Sequence, residues 1–383
     1  MSLIVMVMKI KNVEAVVVYS PEPSIASAPS SLIVKIKTDE GLTGIGEGCT
    51  HGERNEASFA AKAIIEKGFK PLLKGRNPLE IQKIWYDLYY YSEWYGRRGV
   101  ALYALSAVDI ALWDLAGKIL HQPIYNLMGG KFRDKIRVYA SLIFNMDDPE
   151  SSGREGKKYV DQGYTAVKYG WGETREKAFG LDADRDEETV RVIREVLGPK
   201  VDLMVDVGRM VNWTLPYAVM MAKRLKKYNI YWLEEPLPQD AIDSYVALTR
   251  QSDVWIAAGE GEYTRWGFKD WILRHAVDVL QPDVSKAGGL SEVKRIVDLA
   301  YMWNMMVVPH GFSTAINVAA NLQLVATMPN ASLLEFRRTE SPLINKLVKK
   351  PFKAVNGYLE IPEGDGLGIE VDEDVIEEYR VDQ

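Results

Sequence analysis

The sequence predicts an α/β protein, a modified (β/α)7β TIM-type barrel with an α+β capping domain built from the N-terminal region and the C-terminal tail. Three observations predict it. With 383 residues the chain is too long for one ordinary core and suits a large barrel with an attachment. Beyond Gly130, eight short apolar runs alternate with helix-length amphipathic stretches. Strands separated in this way pair in parallel, and eight such units close into a barrel. After the eighth run, Gly/Pro turns and strand character stand where a last helix belongs.

In chain order, residues 9 to 50 read as strands and turns: NVEAVVVY, a Pro/Ser-rich loop from Pro21 to Ser30, then SLIVKIKTDEGLTGIGEG. Asp39 and Glu40 before Gly41 supply a hairpin turn. From Glu56 to Gln122 the period becomes helical, as in NPLEIQKIWYDLYYY and ALSAVDIALWDLAGKIL. Residues 1–133 are thus expected to form the cap. The barrel, residues 134–345, contains the runs IRVYASL (136–142), YTAVKYG (164–170), VDLMVD (201–206), IYWLEE (230–235), VWIAAGE (254–260), VDVLQPD (277–283), MMVVPH (305–310) and ASLLEF (331–336). The tail, residues 346–383, with FKAVNGYLEIPEGDGLGIEV, is expected to leave the barrel and complete the cap.

Composition narrows the partners. Apolar residues make up 47% and charged residues 26%, which places the chain among soluble globular proteins. Lys plus Arg number 47 against 53 Asp plus Glu, with no basic block, so a nucleic-acid partner is not expected. No run of about 18 apolar residues predicts a membrane span. LIVMVM at the N-terminus lacks the flanks of a secretory signal, and the single Cys49 makes no internal disulfide. A cytoplasmic location and a homo-oligomer are expected.

Six runs end in or near a group able to bind a metal or move a proton: Asp206, Glu234, Glu260, Asp283, His310 and Glu335. Their spacings of 28, 26, 23, 27 and 25 residues match one βα unit each, so all six converge on one barrel mouth. Singly, such a carboxylate is more often a helix cap or a solvated loop charge. As a set, Asp206, Glu234 and Glu260 have no Lys or Arg beside them and would repel without a cation, and hard oxygen ligands favour Mg²⁺. His310, which alone could be a core histidine, gains meaning from Asp283 on the preceding strand, which would fix its tautomer and raise its basicity. Lys168 faces the mouth with Gly170, either in the chemistry or merely balancing the carboxylates. His51, in the cap loop GCTHGERNE, is placed to reach over the mouth.

These residues resemble the enolase superfamily, in its mandelate racemase and muconate lactonizing branch. ALSAVDIALWDLAGKILHQPIYNLMGG (104–130) is similar to that branch's helical motif, and LMVD, WLEEP, AAGE, LQPD and VVPH to its metal and catalytic strand ends, in the same order. The resemblance implies that Asp206, Glu234 and Glu260 hold Mg²⁺, that Asp283 and His310 form a dyad, and that Glu335 contacts substrate. It also implies that cap loops 18–30 and 49–58 close over the substrate. Two departures stand out. Many relatives carry Lys-x-Lys at the second strand, where this chain has Lys168, Tyr169, Gly170; the usual Asp-x-Asn of the third is Asp206, Val207, Gly208.

Gly170 cannot abstract a proton, which disfavours a two-base racemase. The chemistry implied is removal of the proton α to a carboxylate, with Mg²⁺ neutralising the charge that develops. With His310 as base, loss of a β-hydroxyl gives a 2-keto-3-deoxy acid, the reaction of a sugar-acid (aldonate or aldarate) dehydratase. The alternatives are an epimerase with Lys168 as second acid/base, and a non-catalytic, metal-stabilised binding protein. Lys168, His51 and Glu335 are the expected substrate contacts.

Overall fold

The structure, a computed structural model, describes residues 8–20, 30–50, 54–208, 211–337 and 341–382. Strands β1 (Ile10–Tyr19), β2 (Ser30–Thr38) and β3 (Thr43–Cys49) form an antiparallel sheet in that order, with Gly41 at φ 93° in the β2–β3 turn. Both faces of this sheet are covered, which explains the nearly unbroken apolar runs of β1 and β2. Val13, Ala15 and Val17 pack with the cap helices, while Val16, Val18 and Ile45 join the core shared with the barrel.

The alternating glycines of TGIGEGC decide how β3 sits. A Cβ on Gly44, Gly46 or Gly48 would lie 2.2, 2.1 and 2.5 Å from the carbonyl oxygens of Ala111, Ala107 and Tyr103. The helix Val100–Leu120 therefore lies directly on the backbone of β3, and side chains at 45, 47 and 49 point the other way, toward the barrel. This helix is long and apolar enough to cross a membrane by length and composition, and 83% of its apolar window is buried inside the protein. It ends at His121 (φ 50°), just before Pro123. Its acids tie units together: Asp109 accepts from Ser291 N at 2.9 Å, and Asp114 accepts from Ile45 N (2.8 Å) and Leu367 N (2.9 Å).

Strands β4 (Lys135–Ile143), β5 (Ala166–Gly170), β6 (Asp202–Asp206), β7 (Ile230–Glu234), β8 (Trp255–Ala258), β9 (Val279–Leu280), β10 (Met306–Val307) and β11 (Leu334–Arg337) form one parallel curled sheet, in the order β10-β9-β8-β7-β6-β5-β4-β11. Among the described residues no ladder joins β10 to β11. Helices of at least ten residues follow each strand from β4 to β10, whereas β11 is followed by the single turn Pro342–Asn345, the (β/α)7β pattern. Tyr139, Met204, Trp232, Val279, Val308 and Leu333 plug the interior, with Tyr139 and Trp232 edge to face at 5.6 Å. Each aliphatic member of that plug contributes roughly 1.5–3 kcal/mol by burial. Tyr169 faces outward against Phe144, so Lys168 and Gly170 face in, as strand alternation requires.

The tail first adds β12 (Tyr358–Glu360), antiparallel to the start of β4. It then crosses to the cap, where Val381 N donates to Val17 O (3.0 Å) and Tyr19 N to Tyr379 O (2.8 Å). Asp382, its side chain 1% exposed, accepts from Val17 N (3.1 Å) and pairs with Lys62. Burial opposes the charge of Asp382, but Lys62, the Val17 amide and Arg380 outweigh it and hold the carboxyl below its ordinary value.

Two stability outcomes follow from these contacts. Gly46→Ala forces a methyl into the Ala107 carbonyl and is expected to cost about 3 kcal/mol or more in urea unfolding, because backbone rather than a flexible side chain must move. Asp382→Asn is expected to cost about 2 kcal/mol at pH 7. Since the folded carboxyl titrates below the unfolded one, that difference is present above about pH 4. It must shrink as the pH falls through the folded value; a difference that grows with acid contradicts the pairing.

Candidate active site

The strand ends meet at the mouth as strand register dictates. Gly170, Asp206 and Glu234 are in register across β5, β6 and β7. A Cβ on Gly170 would lie 2.9 Å from Asp206 Oδ2, so the Asp206 carboxylate occupies the room that a side chain at 170 would need. Lys168 Nζ lies 2.5 Å from Glu234 Oε1, 3.0 Å from Glu335 Oε1 and 3.5 Å from Asp206 Oδ2. Trp232 Nε1 donates to the other oxygen of Glu234 at 2.8 Å.

On the other side of the mouth, His310 Nδ1 lies 2.6 Å from Asp283 Oδ2. Asp283 Oδ1 accepts from Ser285 N (2.7 Å) and Ser285 Oγ (2.6 Å), and Asn317 Nδ2 lies at 3.3 Å. His310 Nε2 faces Glu260 Oε2 at 3.2 Å and Glu335 Oε2 at 3.9 Å. Glu335 thus bridges the two halves, one oxygen toward Lys168 and the other toward His310, where it also accepts from Gly311 N at 2.9 Å.

Burial sets the electrostatics. It raises the Asp206 carboxyl well above the usual range, helped by Glu234 and Glu260, and raises Glu234 despite the Lys168 ammonium. Burial acts against the charge on Glu335 too, but Lys168, His310 and the Gly311 amide keep it low. For Lys168, the charges of Glu234 and Glu335 overcome burial and hold the ammonium well above its ordinary value. The imidazole of His310 is raised as well: desolvation opposes its charged form, and Glu260, Glu335 and Asp283 outweigh that. Asp283 is held low by His310, Lys286 and Ser285 against the desolvation of its buried carboxyl. Burial pushes the Cys49 thiol up to about 12, which leaves it an inert packed residue.

Six strand-end residues and Lys168 thus come together, and Lys168 lies against the carboxylates, as the balancing role the sequence left open requires. Along the chain no Lys or Arg stands beside Asp206, Glu234 and Glu260, but the fold brings Lys168 from β5 between the first two. Glu260 turns to His310, and among the described residues no three acids or imidazoles form a ready-made metal cluster. The donor set still suits a hard cation: Asp206, Glu234, Glu235, Glu260 and Glu335 are all buried, and their mutual repulsion persists with Lys168 in place. His51 lies outside the described residues, as does most of loop 18–30.

Three groups around the dyad escaped the sequence: Ser285, Lys286, whose Nζ is 3.8 Å from Asp283 Oδ2, and Asn317. A fourth is Glu47, fully buried against the loop that follows His310. The alternating glycines at 44, 46 and 48 were its signal, since they fix which way residue 47 points.

Comparison with known proteins agrees with this architecture. Residues 17–129 match the mandelate racemase / muconate lactonizing enzyme N-terminal domain, and residues 152–375 the enolase C-terminal domain-like family. The chain is 33% identical to a D-galactarolactone cycloisomerase of Agrobacterium fabrum, over 91% of each chain. It is equally 33% identical to an arabinonate dehydratase of Saccharolobus solfataricus, covering 93% of this chain and 92% of that one. The solved 3,6-anhydro-D-galactonate cycloisomerase of Zobellia galactanivorans superposes with a TM-score of 0.86 at 34% identity, over 97% of this chain and 99% of that one. With both halves matched in their proper order along the chain, the chain belongs to the mandelate racemase and muconate lactonizing enzyme branch of the enolase superfamily.

Proposed function

We propose that the protein is a sugar-acid dehydratase: it removes the proton α to the carboxylate of an aldonate or aldarate and eliminates the β-hydroxyl as water, giving a 2-keto-3-deoxy acid. The observation that carries this reading is the His310–Asp283 contact at 2.6 Å, which leaves Nε2 facing the carboxylate-lined mouth. Asp283, anchored by Ser285, keeps Nδ1–H directed at itself and so presents the Nε2 lone pair as the base.

Asp206, Glu234 and Glu260 are the residues that would hold Mg²⁺, which when bound supplies the positive charge that offsets what accumulates on the substrate carboxylate as the α-proton leaves. Nε2 takes the proton from C2; the C–H electron pair forms the C2–C3 double bond as the C3–O bond breaks. The imidazolium returns a proton to the departing hydroxyl, which leaves as water, and the enol tautomerises to the ketone. Lys168, aimed at Glu335, is placed to pair with an anionic oxygen of the substrate. Epimerisation through a second lysine at position 170 is disfavoured, since Gly170 carries no base and the Asp206 carboxylate fills the room beside it.

A second reading draws on the relatives named as cycloisomerases, as similar to this chain as a named dehydratase. The same proton removal from a cyclic acid would expel a ring oxygen that stays tethered. The product is then an isomer of the substrate, whereas dehydration removes one water, so mass spectrometry of the product distinguishes them.

His310→Asn is expected to lower keto-acid formation and α-proton exchange in D₂O together, by about 10²- to 10⁴-fold. Lys168→Met should lose turnover while residual exchange still runs through His310. If instead His310→Asn keeps exchanging and Lys168→Met does not, Lys168 is the base and the epimerase reading replaces this one. Glu234→Gln removes one of three carboxylates proposed for the cation, and calorimetric titration with Mg²⁺ should show clearly weaker binding. Unchanged affinity moves the metal elsewhere.

A further inference from the structure

Glu47 is a fully buried carboxylate that the proposed chemistry does not use. The glycine row on β3 turns it toward the barrel, where it meets five donors. Ser31 Oγ and Ser313 Oγ make very short contacts to Oε1, and Thr314 N donates to the same oxygen at 3.2 Å. Thr314 Oγ1 (2.7 Å) and Asn317 N (2.9 Å) donate to Oε2. Thr314 is the N-cap of the helix Ala315–Ala326, so a carboxylate from the cap domain binds the positive end of a barrel helix.

The first turns of that helix also hold the dyad. Asn317 Nδ2 reaches Asp283 Oδ1 (3.3 Å) and Ser285 Oγ (3.0 Å), and Asn321 Nδ2 donates both to Asn317 Oδ1 (3.0 Å) and to the carbonyl of His310 (3.2 Å). The helix is joined to His310 by only four residues, Gly311 to Thr314. We infer that Glu47 is a positioning residue for the dyad: seated from the cap, it fixes the helix turn that orients Asp283 and His310, so proton-transfer geometry is complete only when cap and barrel are docked.

The chemistry demands a carboxylate. Each oxygen accepts from a backbone amide that can only donate, Thr314 N on one and Asn317 N on the other, so the isosteric amide of Gln would turn its N–H₂ group toward one of them and leave it unsatisfied. A purely adhesive role would weaken docking without reaching the dyad; a positioning role must reach it through Asn317.

The inference rests on His310 as the base, and the test has one arm that does not. In the full chain, Glu47→Gln is expected to speed amide hydrogen exchange across 311–317 while β8 and β9 keep wild-type protection. Unchanged exchange in that segment overturns the inference whether or not any acid is turned over. In the catalytic arm, run on an acid that the wild type converts, Glu47→Gln should lower kcat by up to about 10²-fold, the scale of a small misplacement at the reacting centre. KM should change far less. Asn317→Ala should lower kcat too, and the double variant should be within about twofold of the slower single, because both act along one path. Losses that multiply, or a Glu47→Gln enzyme with wild-type kcat, overturn it. Should Glu47→Gln not fold, Thr314→Val removes one of the five donors, and the same pair of outcomes decides. A wild type inert on every acid tested fails the dehydratase reading alone, and the exchange arm still judges Glu47.

Discussion

The barrel mouth crowds buried carboxylates against one another, and most of the molecule is arranged around that. Asp206, Glu234, Glu260, Asp283 and Glu335 are all buried, with Lys168, His310 and Lys286 as cationic groups against them. Isolated carboxylates taken from water would protonate rather than stay charged. Most are instead supplied with something: Lys168 for Glu234 and Glu335, Ser285 and the imidazole for Asp283, the other imidazole nitrogen for Glu260, a backbone amide for Glu335. What the protein does not neutralise by itself lies around Asp206 above all, the place where the proposed cation would sit.

The strand ends were legible because alternation and βα spacing are local properties. Each run needed only its own residues to show where it stopped, and six chemical groups at regular intervals then define one mouth. The (β/α)7β pattern was legible for the same reason, through the missing helix after ASLLEF. The electrostatic company of those groups was legible only in part. Alternation already turned Lys168 into the mouth, but which carboxylates it pairs with, 38 and 66 residues further along the chain, was decided by the register of neighbouring strands. Ser285 and Asn317 were hidden similarly: small polar residues are common, and nothing near them in sequence announces Asp283 as their partner.

Glu47 lies between these cases. TGIGEGC carries a pattern a reader could have used, since glycine at every second position of a strand marks a face against which another backbone presses. The helix Val100–Leu120 is that partner, and its Asp114 then binds both β3 and the tail. The cap is therefore a three-way assembly of strand, helix and tail whose barrel-facing surface is fixed by what it cannot carry on the opposite side.

The seam between β10 and β11 gives Glu335 a second duty. Where the described residues show no ladder between strands, its carboxylate accepts from Gly311 N, and the side chain of Asn330 reaches Met305 O. A residue that faces the mouth and also fastens the ring is pleiotropic. Replacing it to suit a different molecule would loosen the enclosure that holds the molecule, so lineages of this fold should diversify their recognition at positions free of that mechanical burden. In evolutionary terms, the seam is a brake on how the mouth can be remodelled.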